Sequence, residues 1–236
     1  MKILVIPDVH LKPWIFDRAS EIMDSGIADK ALCLMDIPDD WGKARDLQLY
    51  EETYDAAIRL QKKHPETLWC YGNHDLSYEW GQAESGFSSA AILTVRRKQN
   101  ELRTAIADKN QIAYIHRIDD VLFLHGGLTH SFVRYYAPDI DYDNTDAVIS
   151  RINSLGFREI WDDASPVWFR PQYNKEKMYR EKDLLQIVGH TPVMEIERTG
   201  SVFSCDLFST YRNGDPIGTQ EFILIDTETW EYQGIK

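Results

Sequence analysis

The apolar positions of this chain gather into short unbroken runs that stop abruptly at polar residues. Lys2-Ile3-Leu4-Val5-Ile6-Pro7 runs into Asp8-Val9-His10, and Ala31-Leu32-Cys33-Leu34-Met35 into Asp36-Ile37-Pro38-Asp39. Thr67-Leu68-Trp69-Cys70-Tyr71 stops at Gly72-Asn73-His74-Asp75. Val121-Leu122-Phe123-Leu124 meets His125-Gly126-Gly127, and Leu184-Leu185-Gln186-Ile187-Val188 meets Gly189-His190-Thr191. Runs of this length, rich in β-formers and bounded by turn signals, predict buried strands. Each strand would deliver a carboxylate, an amide or an imidazole to its carboxyl end, which is where open α/β sheets bind ligands. An Asp, Asn and His set converging on one crevice suits divalent cations.

Helical periodicity fills the intervals. Residues 13–23 carry Trp14, Ala19, Ile22 and Met23 on one stripe, and Gly26 ends it. Residues 43–63 place Leu47, Tyr50, Tyr54, Ala57, Ile58 and Gln61 at three- and four-residue intervals before Pro65. Residues 94–107 read as a further helix, and 76–91, with Gly81, Gly86 and two serines, as a loop over the site. Residues 112–115 and 121–125 predict a hairpin turning at Asp119-Asp120. Short helices are expected at 131–136 and 175–182, with a longer one from Asn144 to Leu155, stopped by Gly156 and followed by another turn over 157–163. Residues 165–171 form a proline-bounded aromatic loop. The last part reads as strands at 184–188, 193–197, 201–205, 221–226 and 229–233, with a turn at Thr227-Glu228. No repeat, low-complexity tract or linker divides residues 1–236, so a single domain is expected. Helices alternate with strands first and hairpins dominate later. The pattern predicts a mixed α/β fold: a four-layer αββα sandwich of two mixed β-sheets packed face to face with helices outside.

The net charge of −12 argues against a long nucleic acid or an anionic membrane as partner. It permits a phosphorylated substrate, because bound metal reverses the local field. Cys33, Cys70 and Cys205 are too few and too scattered for a disulfide framework, and the first two read as small buried residues of strands. A strand starts almost at the N-terminus and no apolar run reaches membrane length, so the expected location is cytoplasmic. The acidic run 139–143 lacks the glycine and distal glutamate of a calcium loop. His64, His116 and His130 read as surface or turn residues.

Taken together, Asp8-x-His10, Asp36-x-x-Asp39, Gly72-Asn73-His74-Asp75, His125 and Gly189-His190 resemble the calcineurin-like metallophosphoesterases, in that family's order. His125-Gly126-Gly127-Leu128 and Gly189-His190-Thr191-Pro192 resemble the Ser/Thr protein phosphatase branch, which includes the symmetrical dinucleoside tetraphosphatases. The resemblance implies two divalent metal ions, and the mixed oxygen and imidazole ligands suit Mn, Fe or Zn. Asp8 and His10 would hold the first, Asp36 would bridge both, and Asn73, His125 and His190 would complete the second. A metal-bridged hydroxide would attack phosphorus. His74 would protonate the leaving oxygen, oriented by Asp39. Asp75 and Asp206 would be structural acidic positions.

The chain also departs from the family. Pro7 and Met35 stand where glycine usually precedes the two aspartates, and Pro192 stands where many members carry a second histidine. Asp40-Trp41 replaces an Arg-Gly pair whose arginine clamps phosphate. Arg170 is the first candidate to replace that clamp and Arg134 the second, with Asn73 as a further phosphate contact. Trp168 and Phe169 read as core or pocket wall. The implied function is a dinuclear metal-dependent phosphoesterase, first a phosphomonoesterase acting on a phosphoprotein or small molecule. The alternatives are a dinucleoside polyphosphate or nucleotide hydrolase and a non-catalytic metal-binding scaffold.

Overall fold

The computed structural model describes residues 1–236. Along the chain, β1 (Lys2–Ile6), α1 (Pro13–Asp24), β2 (Lys30–Cys33), α2 (Leu47–Lys63) and β3 (Leu68–Cys70) form the first half of an α/β unit. Helices α3 (Asn73–Trp80) and α4 (Ile92–Ala105) follow, then β4 (Ile112–Ala113), β5 (Ile115–Ile118) and β6 (Val121–Leu124). Next come α5 (His130–Tyr136), α6 (Thr145–Asn153) and α7 (Phe157–Ile160). The chain closes with β7 (Leu185–Pro192), β8 (Glu197–Thr199), β9 (Val202–Asp206), β10 (Phe222–Asp226) and β11 (Tyr232–Ile235).

Two mixed sheets result, in the orders β11-β10-β1-β2-β3-β4 and β5-β6-β7-β9-β8. Alternation along each strand decides what lies between them. Ile3, Val5 and Leu32 meet Phe123, Ile187, Phe203 and Cys205 in the central layer. The intervening Leu4, Ile6, Ala31 and Cys33 face outward onto α1, α2 and α4. On the other side Leu122, Leu124, Val188 and Val202 pack under α5, α6 and α7. Both faces of the inner strands are therefore buried, which is why they read as continuous apolar runs, while the edge strands β8 and β11 stay exposed. This is the expected four-layer sandwich. All three cysteines are buried and free. No helix is long and apolar enough to cross a membrane.

Several boundaries differ from expectation. Residues 76–80, expected as loop, belong to helix α3. Asp75 Oδ2 accepts the Gly72 N–H at 3.3 Å, Gly81 ends the helix at φ +68°, and only 81–91 remains a loop. Helix α2 starts at Leu47 because Asp46 caps it, accepting from Leu49 N–H at 3.2 Å. The expected hairpin is split. Residues 112–113 pair with β3 in the first sheet, and the chain crosses at Tyr114 before 115–118 pair with β6 in the second. Residues 175–182 are turns rather than helix, and the strand expected at 193–197 forms at Glu197–Thr199. His116 is buried rather than exposed, its Nε2 donating to the Trp69 carbonyl at 3.0 Å.

Candidate metal centre

Strands β1, β2 and β3 run parallel, as do β6, β7 and β9, so their carboxyl ends reach one edge of the sandwich. The loops after β1 and β2 are laced together there, Val9 N–H donating to Met35 O at 3.1 Å and His10 N–H to Asp36 O at 2.8 Å. The lacing bends the backbone hard. His10, Met35, Asp36, Asp39 and His190 all have positive φ, a clustering typical of functional sites. Met35 takes φ +59°, the conformation that glycine adopts without steric cost. Glycine is retained where side chains press closest: a Cβ at Gly72 would overlap Asp36 Oδ1, and one at Gly189 would overlap Asp8 Oδ2.

Three ligand atoms converge at the centre. His125 Nδ1 lies 2.9 Å from the Leu34 carbonyl and must donate its proton there. Its Nε2 then faces Asp36 Oδ2 at 3.1 Å and Asn73 Oδ1 at 3.0 Å. An imidazole lone pair between two oxygens is repulsive unless a proton or a cation lies among them. His190 joins Asp36 and His125 within ligand distance, and its Nε2 is buried with no hydrogen-bond partner. A second group comprises Asp8, His10 and Asp206. Asp8 Oδ2 is likewise buried and unpartnered, while Oδ1 accepts from His190 N–H at 2.8 Å. His10 donates Nδ1–H to Asp39 O at 2.9 Å, which leaves Nε2 for the centre, 4.0 Å from Asp36 Oδ2. Orphaned buried lone pairs on a carboxylate and an imidazole, with oxygen and nitrogen donors around them, fit divalent cations.

The electrostatics agree with that fit. Burial opposes charge on Asp36, yet His125 and His74 hold its carboxyl well below the usual range. Burial likewise opposes charge on His125, but Asp36 and Asp8 outweigh it and push the imidazole up to about 9. Burial, then Asp206, drives Asp8 upward, and burial lifts Asp206 to about 6. In the metal-free protein, protons neutralise what cations can neutralise.

His74 stands at the start of α3 with its N–H on Asp36 Oδ1 at 2.9 Å and its Nδ1 3.0 Å from Asp39 Oδ2. Asp39 is saturated, because Tyr50 and Tyr78 hydroxyls donate to its Oδ1 at 2.7 and 2.5 Å. Burial works against the His74 charge, and Asp36, Asp39 and Glu84 overcome it, raising the imidazole to about 10. His74 also lies within ligand distance of His10 and Asp36, but its Nδ1 is committed to Asp39. Asp75 is buried beneath, accepting from Ile37 N–H at 3.3 Å, and supports the loop.

A cavity of about 220 Å³ opens over this cluster. Arg170 lines it, with Nη1 anchored on His190 O at 2.5 Å and on Thr191 Oγ1 at 3.0 Å. Arg134 does not reach it; it is exposed on α5, its guanidinium 4.4 Å from the centre of the Tyr142 ring. Asp40 lines the cavity, but Lys12 Nζ pairs with it at 3.1 Å and offsets its charge. Trp168 forms part of the wall and Phe169 is buried.

Asp206 is the residue whose part the sequence understates. It lies opposite Pro192 in the β7–β9 register, so its carboxylate stands beside the position of the absent second histidine. Ser209 fixes it, donating Oγ–H to Oδ2 at 2.9 Å. Glu84 carries no signal in the sequence, although it lines the cavity and its Oε2 accepts from Asn73 Nδ2 at 2.7 Å. Neither residue belongs to a spaced motif, so only its place in the fold reveals it.

A sandwich of two mixed sheets with two adjoining Asp/His groups at the ends of its parallel strands is a scaffold able to hold metal ions. The chain belongs to the calcineurin-like phosphoesterase family, whose model matches residues 1–211. It is accordingly a metal-dependent phosphoester hydrolase. Among solved structures it is similar to an archaeal phosphodiesterase at 17% identity and TM-score 0.44, covering 100% of this chain and 99% of that one. A hypothetical protein from Pyrococcus horikoshii OT3 gives 12% identity and TM-score 0.49, covering 100% and 87%. A metallophosphoesterase from Sphaerobacter thermophilus gives 15% and 0.45, covering 100% and 89%. Comparison with curated proteins finds no match.

Proposed function

We propose that this protein hydrolyses a phosphomonoester at a two-cation centre, with His74 as the acid for the leaving group. The observation that carries this is the convergence of His125 Nε2, Asp36 Oδ2 and Asn73 Oδ1 beside the Asp8, His10 and Asp206 group. Asp8, His10 and Asp206 would hold one cation and Asn73, His125 and His190 the other, with Asp36 shared. Bound there, divalent cations supply Lewis acidity and a water of lowered pKa. The remaining work falls to side chains. The Asp39 carboxylate keeps a proton on His74 Nδ1 and directs Nε2 away from itself, which suits transfer to a departing alkoxide. Arg170 has one Nη on His190 O and Thr191, which fixes the guanidinium plane and supports a role in gripping phosphoryl oxygens. A cavity of about 220 Å³ suits a phosphoryl group with its nearest substituent, the rest of the substrate lying outside.

A nucleotide phosphoester or dinucleoside polyphosphate is the second reading. It is favoured by Trp41, 41% exposed beside the cavity, and by Trp168 in the wall, two aromatic faces on which a base can stack. The metal-stripped protein, reloaded separately with Mn²⁺, Zn²⁺, Fe²⁺ or Mg²⁺, tests both. Metal-restored turnover of p-nitrophenyl phosphate, greater than that of diadenosine tetraphosphate, is expected, and turnover of an alkyl phosphate should be lost in His74→Asn with metal still bound. Preference for the dinucleotide selects the second reading. Two bound ions with no turnover of either substrate would sink both and leave a scaffold.

A further inference from the structure

Glu84 is an unusual residue to find where it is. It belongs to the 81–91 segment between α3 and α4, yet its side chain is 10% exposed and lies at the centre. Its Oε1 is buried without a hydrogen-bond partner, 3.6 Å from His74 Nδ1. Its Oε2 accepts from Asn73 Nδ2 at 2.7 Å. Tethering of the loop does not account for this burial. Gly81 turns the chain in the left-handed region, the Tyr78 hydroxyl accepts from Ser88 N–H at 2.8 Å, and Ser88 Oγ bonds to the Ala44 carbonyl. Those contacts fix both ends of the segment. Burying a carboxylate with one oxygen unpartnered costs stability that the loop does not require.

The consequence falls on Asn73. The 2.7 Å contact has the amide nitrogen Nδ2 turned toward Glu84 Oε2, a carboxyl oxygen placed to accept from it. The carbonyl Oδ1 is thereby aimed the opposite way, to 3.0 Å from His125 Nε2, among the atoms that can hold a cation. Rotated by half a turn, the amide would set oxygen against the Glu84 carboxylate and offer the centre a nitrogen with no available lone pair. We infer that Glu84 is a positioning residue, which locks the Asn73 amide with its oxygen toward the metal centre and so makes Asn73 a competent ligand. This rests on the two-cation reading above. That hydrogen bond takes one of the two N–H donors of Asn73 and leaves the other available to a phosphoryl oxygen.

The test reads metal binding, not turnover. Metal-free wild type, Glu84→Ala, Glu84→Gln and Glu84→Asp are each titrated calorimetrically with Mn²⁺, with the melting temperature of each metal-free protein as the folding control. Wild type should bind two ions. Glu84→Ala should weaken one of them by about 10–100-fold, the usual loss for an orienting partner. Glu84→Gln should restore it, because a glutamine carbonyl accepts from the same Nδ2. Glu84→Asp, which keeps the charge but loses the reach, should fail. Wild-type affinity in Glu84→Ala overturns the inference while leaving the two-cation reading intact. So does recovery by Asp but not Gln, which would make charge the active property. A lowered KM for p-nitrophenyl phosphate in Glu84→Ala, with metal binding unchanged, also overturns it and makes Glu84 a latch over the phosphate site. A wild type that binds no Mn²⁺ ends both this inference and the reading beneath it.

Discussion

Replacing Asp39 by asparagine isolates the acid from the metals. Asparagine has nearly the same shape and tolerates the φ of +67° that Asp39 adopts. The Tyr50 and Tyr78 hydroxyls, at 2.7 and 2.5 Å, would keep the new amide oxygen in the place of Oδ1. Its NH₂ then faces His74 Nδ1, 3.0 Å away, where two donors cannot both be satisfied. The imidazole must give up the Nδ1 proton and become neutral, a far weaker acid. The loss is one charge-assisted hydrogen bond to the acid, about 1.5–3 kcal/mol. At 1.36 kcal/mol per decade that is about 10–150-fold in rate. The assay compares two substrates on the metal-loaded variant. An alkyl phosphate, whose leaving oxygen needs a proton, should lose about that factor in kcat. Aryl p-nitrophenyl phosphate, whose leaving group departs as a stable anion, should lose little. Metal content should not change. Equal losses on both substrates, or no loss on the alkyl phosphate, would refute the assignment of His74 and Asp39.

Arg170→Lys should raise KM for a phosphomonoester about tenfold with a smaller change in kcat, because an ammonium cannot hold His190 O and Thr191 and also present a planar fork; an unchanged KM counts against the clamp. The metal-free protein should lose stability as pH rises from about 6.5 to 9. His74 and His125 are raised to about 10 and about 9, above the roughly 6.5 of an unfolded histidine, so their contribution is full below the unfolded value and disappears as pH climbs through the folded ones. Asp75, raised by burial to about 7, acts in the same direction up to that pH. Cations at the centre replace those protons, so loading with Mn²⁺ should flatten the slope; a metal-free melting temperature that stays level or rises over this range contradicts the electrostatic account.

Much of the site is written in local grammar. An apolar run closed by Asp-x-His, Asp-x-x-Asp or Gly-Asn-His is visible because each strand ends where its chemistry begins, and the structure brings Asp8, His10, Asp36, Asn73, His125 and His190 together. The departures from the family pattern become intelligible only in three dimensions. Met35 accepts the left-handed backbone that glycine would take freely, Lys12 offsets Asp40, and Asp206 stands beside Pro192. Local periodicity misjudged α3, whose short apolar face has Gly72 and Gly81 at its ends, and it missed the crossing at Tyr114, where one apolar stretch is shared between two sheets.

What the amino-acid sequence determined by itself was therefore the layering and the ligand types. Unbroken apolar runs of strand length can be satisfied only with both sheet faces covered, and polar residues that end parallel strands gather at one edge. What only the tertiary structure decided was which isolated residues lie at the strand-end cluster. Glu84 and Asp206 are single acidic residues with no spacing to mark them, and Arg134 and Arg170 are indistinguishable as letters. Their places depend on where a loop and a β9 register carry them, and that is set by packing across the whole sandwich: Arg170 is drawn to His190 and Thr191, while Arg134 is left against Tyr142.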